Sequence, residues 1–211
     1  MKKIISILFG ASLLFAASAQ AAGMVGVKIG TGELSGSSDA YTAGSTSVAA
    51  ASGDTDNTYA AIFAEVNVEA AEGLSLGVEY VPFTASIRLD KGESSSGADV
   101  SDATTLYALY GRGAGEGTVY VKAGYFMADI GTVVQDGQTT VNSQDDTLEG
   151  PMVGIGFQTG ETANGIIVRA EATYTDLDSV AITTTSNGST SVKKTADGDI
   201  TTFSVSFAKA F

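Results

Sequence analysis

The sequence predicts an all-β protein, a single eight-stranded antiparallel up-and-down transmembrane β-barrel. Three observations carry that reading. Eight segments alternate apolar and polar residues with a period of two, the signature of strands that present two different faces. The connections between them are alternately long and short. The sequence also ends inside such a segment, on Phe211, where soluble domains usually fray into polar residues.

The elements follow in order. Met1-Lys2-Lys3, the apolar run from Ile4 to Ala17 and the small-x-small triplet Ala19-Gln20-Ala21 read as a secretory signal peptide over residues 1–21. The apolar run is too short to span a bilayer. Residues 22–211 then form the barrel domain, a length that suits one domain.

The first predicted strand, 24–31, sets Val25, Val27 and Ile29 against Gly26, Lys28 and Gly30. The second, 58–68, sets Ala60, Ile62, Ala64 and Val66 against Tyr59, Ala61, Phe63 and Glu65. The third, from 74 to about 83, sets Leu74, Leu76, Val78 and Tyr80 against Ser75, Gly77 and Glu79. In the fourth, 104–111, Tyr107, Leu109 and Tyr110 leave the parity ambiguous. The fifth, 118–130, opposes Val119, Val121, Ala123, Tyr125 and Met127 to Tyr120, Lys122, Gly124 and Phe126. The sixth, 149–158, opposes Val153, Ile155 and Phe157 to Gly154, Gly156 and Gln158. The seventh, 165–175, opposes Ile166, Val168, Ala170, Ala172 and Tyr174 to Arg169, Glu171 and Thr173. The eighth closes the sequence with Phe203, Val205, Phe207 and Phe211 on one parity and Ser204, Ser206, Ala208 and Ala210 on the other. Most are about nine to eleven residues, the length a tilted strand needs to cross a bilayer.

The connections 69–73, 112–117 and 159–164 are short, and 33–57, 89–103, 131–147 and 177–200 are long. In a meander this puts every long loop at one end and both termini at the other, the layout of outer-membrane barrels with extracellular loops and periplasmic turns. Tyr80, Tyr125 and Tyr174 fall near one set of strand ends, and Phe157 and Phe211 near the other, as two interfacial girdles require. A soluble barrel with an apolar interior is the rival arrangement. The Gly-, Ser- and Ala-rich opposite face argues instead for a narrow, filled lumen.

The segments Tyr120-Val121-Lys122-Ala123-Gly124-Tyr125, Gly150-Pro151-Met152-Val153-Gly154-Ile155-Gly156 and Arg169-Ala170-Glu171-Ala172-Thr173-Tyr174 resemble strands five to seven of the small eight-stranded outer-membrane barrels. That group contains the OmpA membrane domain, OmpX and the opacity-type adhesins. The last strand, with Phe203, Val205, Phe207 and terminal Phe211, resembles the signal read by the barrel-assembly machinery. Lys209 departs from it by sitting on the apolar parity, from which its ammonium is expected to snorkel to water. The resemblance implies a protein of the Gram-negative outer membrane, in contact with its lipids and lipopolysaccharide. The role it implies is structural or surface contact through the loops, with a narrow pore or an OmpW-like conduit for small apolar molecules as the alternative.

Composition narrows the chemistry. The sequence has no His and no Cys, which removes histidine-based nucleophilic catalysis, histidine metal ligands, thiolate sites and disulfides. The outer-membrane proteases and lipid-modifying barrels resemble this chain in architecture but rely on a catalytic histidine. The expectation is therefore a non-enzymatic protein with no cofactor. Without Lys2 and Lys3, nine basic residues face 24 acidic ones, a net charge near −15, so nucleic acid is disfavoured as a partner. The glycine-rich run 111–117 precedes a strand, not the helix a phosphate cradle needs, and reads as a turn.

Two charged groups remain. Lys28, Glu65, Glu79, Lys122, Arg169 and Glu171 fall on the inward parity and are expected to pair within the lumen as a plug, because isolated charges there lack water. Glu79 and Glu171 are the expected partners of Arg169, with Glu171 also able to reach Lys122. The long loops hold many carboxylates, among them Asp39, Asp54, Asp56, Asp102, Asp178, Asp197 and Asp199. These read as a solvated, partly disordered surface, or as a place where divalent cations bridge to lipopolysaccharide phosphates.

Overall fold

The computed structural model describes residues 22–43, 46–48, 50–82, 85–91, 94–135, 141–143, 147–186 and 190–211. The predicted signal peptide, residues 1–21, lies outside them.

Eight strands form the wall: β1 (Gly23–Ser38), β2 (Ala51–Asn67), β3 (Leu74–Val81), β4 (Ser94–Ala114), β5 (Gly117–Gln135), β6 (Thr147–Thr159), β7 (Ile166–Ser186) and β8 (Thr190–Ala210). Each pairs antiparallel with its sequence neighbour, and β8 pairs back to β1 from Met24↔Ala210 to Ser38↔Ala196, which closes the barrel. At the seam, Gly23 and Phe211 exchange backbone hydrogen bonds of 3.2 and 3.0 Å. Closure leaves no free sheet edge around the ring, the arrangement a lipid-embedded sheet requires.

The end with both termini also carries three tight turns. Between β4 and β5 the predicted turn over 112–117 contracts to Gly115-Glu116, because Arg112, Gly113 and Ala114 continue the ladder opposite Val119, Thr118 and Gly117. Gly115 has φ +63, which suits the first central position of a two-residue hairpin turn.

The other end differs from expectation. Much of what reads as long loop is paired strand. Residues 32–38 of β1 pair with 51–57 of β2, and β7 runs on past Thr175 to pair with β8 up to Ser186↔Thr190. The short strand Ala85–Lys91 adds to β4, and Val141–Ser143 adds to β7. Thr- and Ser-rich alternation favours extended backbone, and paired neighbours satisfy its hydrogen bonds. A disordered surface is therefore not what these described segments form. Many of the predicted loop carboxylates, Asp90 and Asp136 among them, have side chains outside the described residues.

The outward face of the lower wall is apolar. Val27, Ile29, Val121, Ile155, Phe203 and Phe207 are each about half exposed. The fourth strand resolves cleanly: Tyr107 and Leu109 point inward and are buried, while Leu106 and Tyr110 point outward. Along β7 the apolar face runs from Ile166 to Tyr174. At about 3.3 Å per residue and a tilt near 40°, that stretch spans roughly 20 Å, most of the roughly 25 Å height of a membrane barrel's apolar band. Tyr174 and Tyr125 sit exposed at its upper edge, and Phe157 and Phe211 at its lower edge.

Candidate functional site: the charged lumen

The inward glycines make room for the lumen's aromatic rings. Gly77 stands opposite Tyr107 in the β3–β4 register, and Gly156 stands opposite Tyr120 in the β5–β6 register. A methyl group added at either glycine would collide with the facing tyrosine ring. Each ring can therefore lie flat across the neighbouring strand and direct its hydroxyl to the centre of the lumen.

There the hydroxyls meet the six charged residues singled out in the sequence, all of them buried. The structure divides these into two groups. In the upper group, the Lys28 ammonium donates to Glu79 Oε2 at 2.5 Å and to Glu171 Oε1 at 2.6 Å. Lys122 donates to the same two oxygens at 3.3 and 2.9 Å, and its ammonium lies 3.9 Å from the centre of the Tyr107 ring. The Tyr120 hydroxyl donates to Glu171 Oε2 at 3.0 Å. Two cations and two carboxylates thus alternate around a square and balance in charge.

In the lower group, Arg169 grips Glu65 with both terminal nitrogens, at 2.5 and 2.9 Å, and donates a further bond of 2.9 Å to Gln158. The Tyr107 hydroxyl donates to Glu65 at 2.7 Å. The rings of Tyr120 and Phe63 stack near the guanidinium at 5.0 and 5.4 Å. Beneath this pair, Met24, Phe63, Ile167 and Ala208 pack into an apolar cluster at the turn end.

One expectation is corrected. Arg169 pairs with Glu65, not with Glu79 or Glu171. Arg169 lies two residues nearer the turn end than Glu171, and Glu65, opposite Met24, lies four residues nearer that end than Ala61, the residue in Arg169's own register row, so the stagger of the ring brings the two together across the lumen. Glu79 and Glu171 lie higher and are already taken by the lysines.

Above the lysine–glutamate square the two faces of the wall exchange character. Inward positions become apolar: Leu34, Val81, Phe126, Leu148 and Ile200 line the interior, and Leu177 is buried. Outward positions become acidic: Glu33, Asp54, Asp56, Asp176, Asp178 and Asp199 continue the parity that carries the apolar belt below. The change is abrupt. On β7, Tyr174 is followed on the same face by Asp176, and on β8 Phe203 is followed by Thr201 and Asp199. The tyrosines bridge the border, with Tyr80 donating to Asp102 at 2.6 Å and Tyr125 donating to Asp178 at 3.2 Å. Lower down, the wall turns apolar residues outward. Higher up it is patterned for water.

No family model and no curated protein matches the chain. Solved structures do. Neisserial surface protein A aligns over 91% of this chain and 100% of its own, at 15% identity and a TM-score of 0.53. The outer membrane protein AlkL, solved by solid-state NMR in lipid bilayers, aligns over 91% of this chain and 90% of its own, at 13% identity and a TM-score of 0.63. The chain has the fold of the small outer-membrane β-barrels. At such identities the likeness speaks for architecture, and the role must be argued from this barrel's own residues.

Two further predicted features have defined positions in the barrel. Phe203, Val205, Phe207 and Phe211 all point outward, between 48% and 62% exposed, and form one apolar stripe along β8. The Lys209 ammonium turns out of that stripe to donate to the carbonyl of Asn164 in the β6–β7 turn. Among the described residues, no group of acidic side chains converges closely enough to hold a metal ion.

The aromatic lid over each glycine escaped the sequence reading. Its signal was the placement of Tyr107 and Tyr120 on the inward parity, in strands whose neighbours carry glycine.

Proposed function

We propose that this is a non-enzymatic barrel of the Gram-negative outer membrane, closed to ions and acting at the cell surface through its extended end. In this reading the termini and tight turns are periplasmic, and the acidic upper wall is extracellular. The barrel-assembly machinery reads the apolar stripe of Phe203, Val205, Phe207 and Phe211. Outer-membrane lipid and lipopolysaccharide surround the belt.

A single observation carries the closed lumen: the square of Lys28, Glu79, Lys122 and Glu171 stacked on the Arg169–Glu65 pair. An ion entering would have to part charges that are already matched at 2.5–3.3 Å. A buried carboxylate or ammonium left alone costs several kcal/mol, which sets a barrier to opening. A pore or conduit requires that floor to separate. Planar-bilayer recording of the folded protein tests the point. The expected result is no stable unit conductance, whereas reproducible ion-selective openings would replace this reading with the transporter.

A further inference from the structure

The apolar interior above the square is not filled by the side chains of the described residues. A cavity of about 160 Å³ remains, lined from all eight strands and floored by Lys28, Glu79, Lys122 and Glu171. Its walls include Leu34, Val81, Phe126, Leu148 and Ile200, with Tyr59 and several threonines lower down. A void of this kind holds water when it is polar and stays dry when its walls are apolar. An apolar cavity of about 150 Å³ in another protein is known to hold benzene.

The floor selects the polar end of an occupant. Both lysine ammoniums already donate to both carboxylates. Glu171 uses both oxygens and its side chain is 1% exposed. Glu79 accepts both lysines on Oε2 alone, and its side chain, at 11%, is the most exposed of the four. The floor group most open to the cavity is therefore the Glu79 carboxylate, whose Oε1 accepts from neither lysine. An anionic head group would meet that oxygen, whereas a hydroxyl would bond to it.

We propose that the upper lumen is a blind-ended binding pocket for a small neutral molecule, apolar and about the size of a benzene ring, that carries one hydroxyl donor directed at Glu79. The surrounding wall supports this. It is apolar inside and acidic outside, the pattern of a water-soluble ligand-binding barrel, and it stands on a membrane barrel whose charged floor stops the ligand from passing through. The inference rests on the closed floor for its blind end but not for the binding itself.

Phenol is a suitable probe, with benzoate as the anionic counterpart. The full barrel, refolded into lipid nanodiscs and labelled at methyl groups, is titrated with each. Leu34, Val81, Leu148 and Ile200 report the pocket, while Val121 and Ile155 on the lipid face report simple partition into the bilayer. Phenol is expected to shift the pocket methyls saturably, and benzoate to bind at least about tenfold more weakly, the value of one hydrogen bond lost to an unfavourable carboxylate. Ala103→Phe, which fills the cavity, should abolish the saturable shift. Leu34→Trp, nearer the mouth, serves the same purpose should the first variant not fold. Linear shifts shared by lipid-facing and pocket methyls, or benzoate binding equal to phenol, would overturn the proposal. Bilayer recording keeps the two readings apart: conductance with saturable phenol binding removes only the closed floor, and silence without binding removes only the pocket.

Discussion

Replacing Arg169 by Met removes three charge-assisted hydrogen bonds at once, two to Glu65 and one to Gln158. Met fits the space of the aliphatic stem, so the cost comes mainly from what is left behind. Glu65 is 2% exposed and, among the described residues, retains the Tyr107 hydroxyl as its donor. An uncompensated buried charge of this kind costs about 3–5 kcal/mol. With a urea dependence near 2 kcal/mol per molar, the unfolding midpoint should fall by about 1.5–2.5 M. The assay is urea unfolding of the barrel in lipid vesicles, followed by far-UV circular dichroism and by the mobility shift on gels between unheated and heated samples. The double variant Arg169→Met/Glu65→Leu leaves no orphan charge and should recover most of the loss. Arg169→Met combined with Glu171→Gln should recover none, because Glu171 belongs to the lysine square. Unchanged stability in the single variant, or rescue through Glu171 and not Glu65, would refute the division of the lumen into two ion-paired groups.

Three further outcomes follow from the wall. Gly156→Val drives a branched side chain into the Tyr120 ring and should destabilise the barrel by about 1–3 kcal/mol, as overpacking does; Tyr120→Ala in the same chain should relieve part of it, read by the same urea titration. Ile155→Arg places a charge on the lipid face, where Ile155 is 66% exposed, and should cost about 2–4 kcal/mol near the bilayer midplane; the equivalent change at Asp176 on the acidic upper face should cost almost nothing. Truncating Phe211 removes the last aromatic of the β8 stripe together with its two hydrogen bonds to Gly23. The expected result is a large drop in heat-modifiable barrel recovered from cells, with refolding in detergent affected far less.

The sequence made the lower barrel legible because one period-two rule governs it from Val25 to Phe207. Parity alone identified the six lumen charges, since a charge on a face with nowhere to meet water must find a partner. Three things stayed hidden, each for a physical reason. In β4, Leu106, Tyr107, Leu109 and Tyr110 are all apolar, so alternation carries no sign until the neighbouring strands show which face has a lumen behind it. The upper strands read as loops because the rule inverts there: Asp176 and Asp199 occupy the parity of Tyr174 and Phe203, and a search for apolar residues on that face stops at the water line. The partner of Arg169 depends on the height at which two distant strands meet inside the barrel. That height is set by the stagger of the whole ring and by no local pattern.

The seam between β1 and β8 makes the chain's order a matter of convenience to the wall. Gly23 and Phe211 are already hydrogen-bonded neighbours, so a short peptide joining the two ends and a new break at Gly115-Glu116 would keep every rung of every ladder. Such a rearranged gene would encode the same cylinder with β4 as its final strand. It would also strip β8 of its place at the end while leaving it in the ring, so that its part as a stave of the barrel could be measured apart from the assembly signal proposed for it.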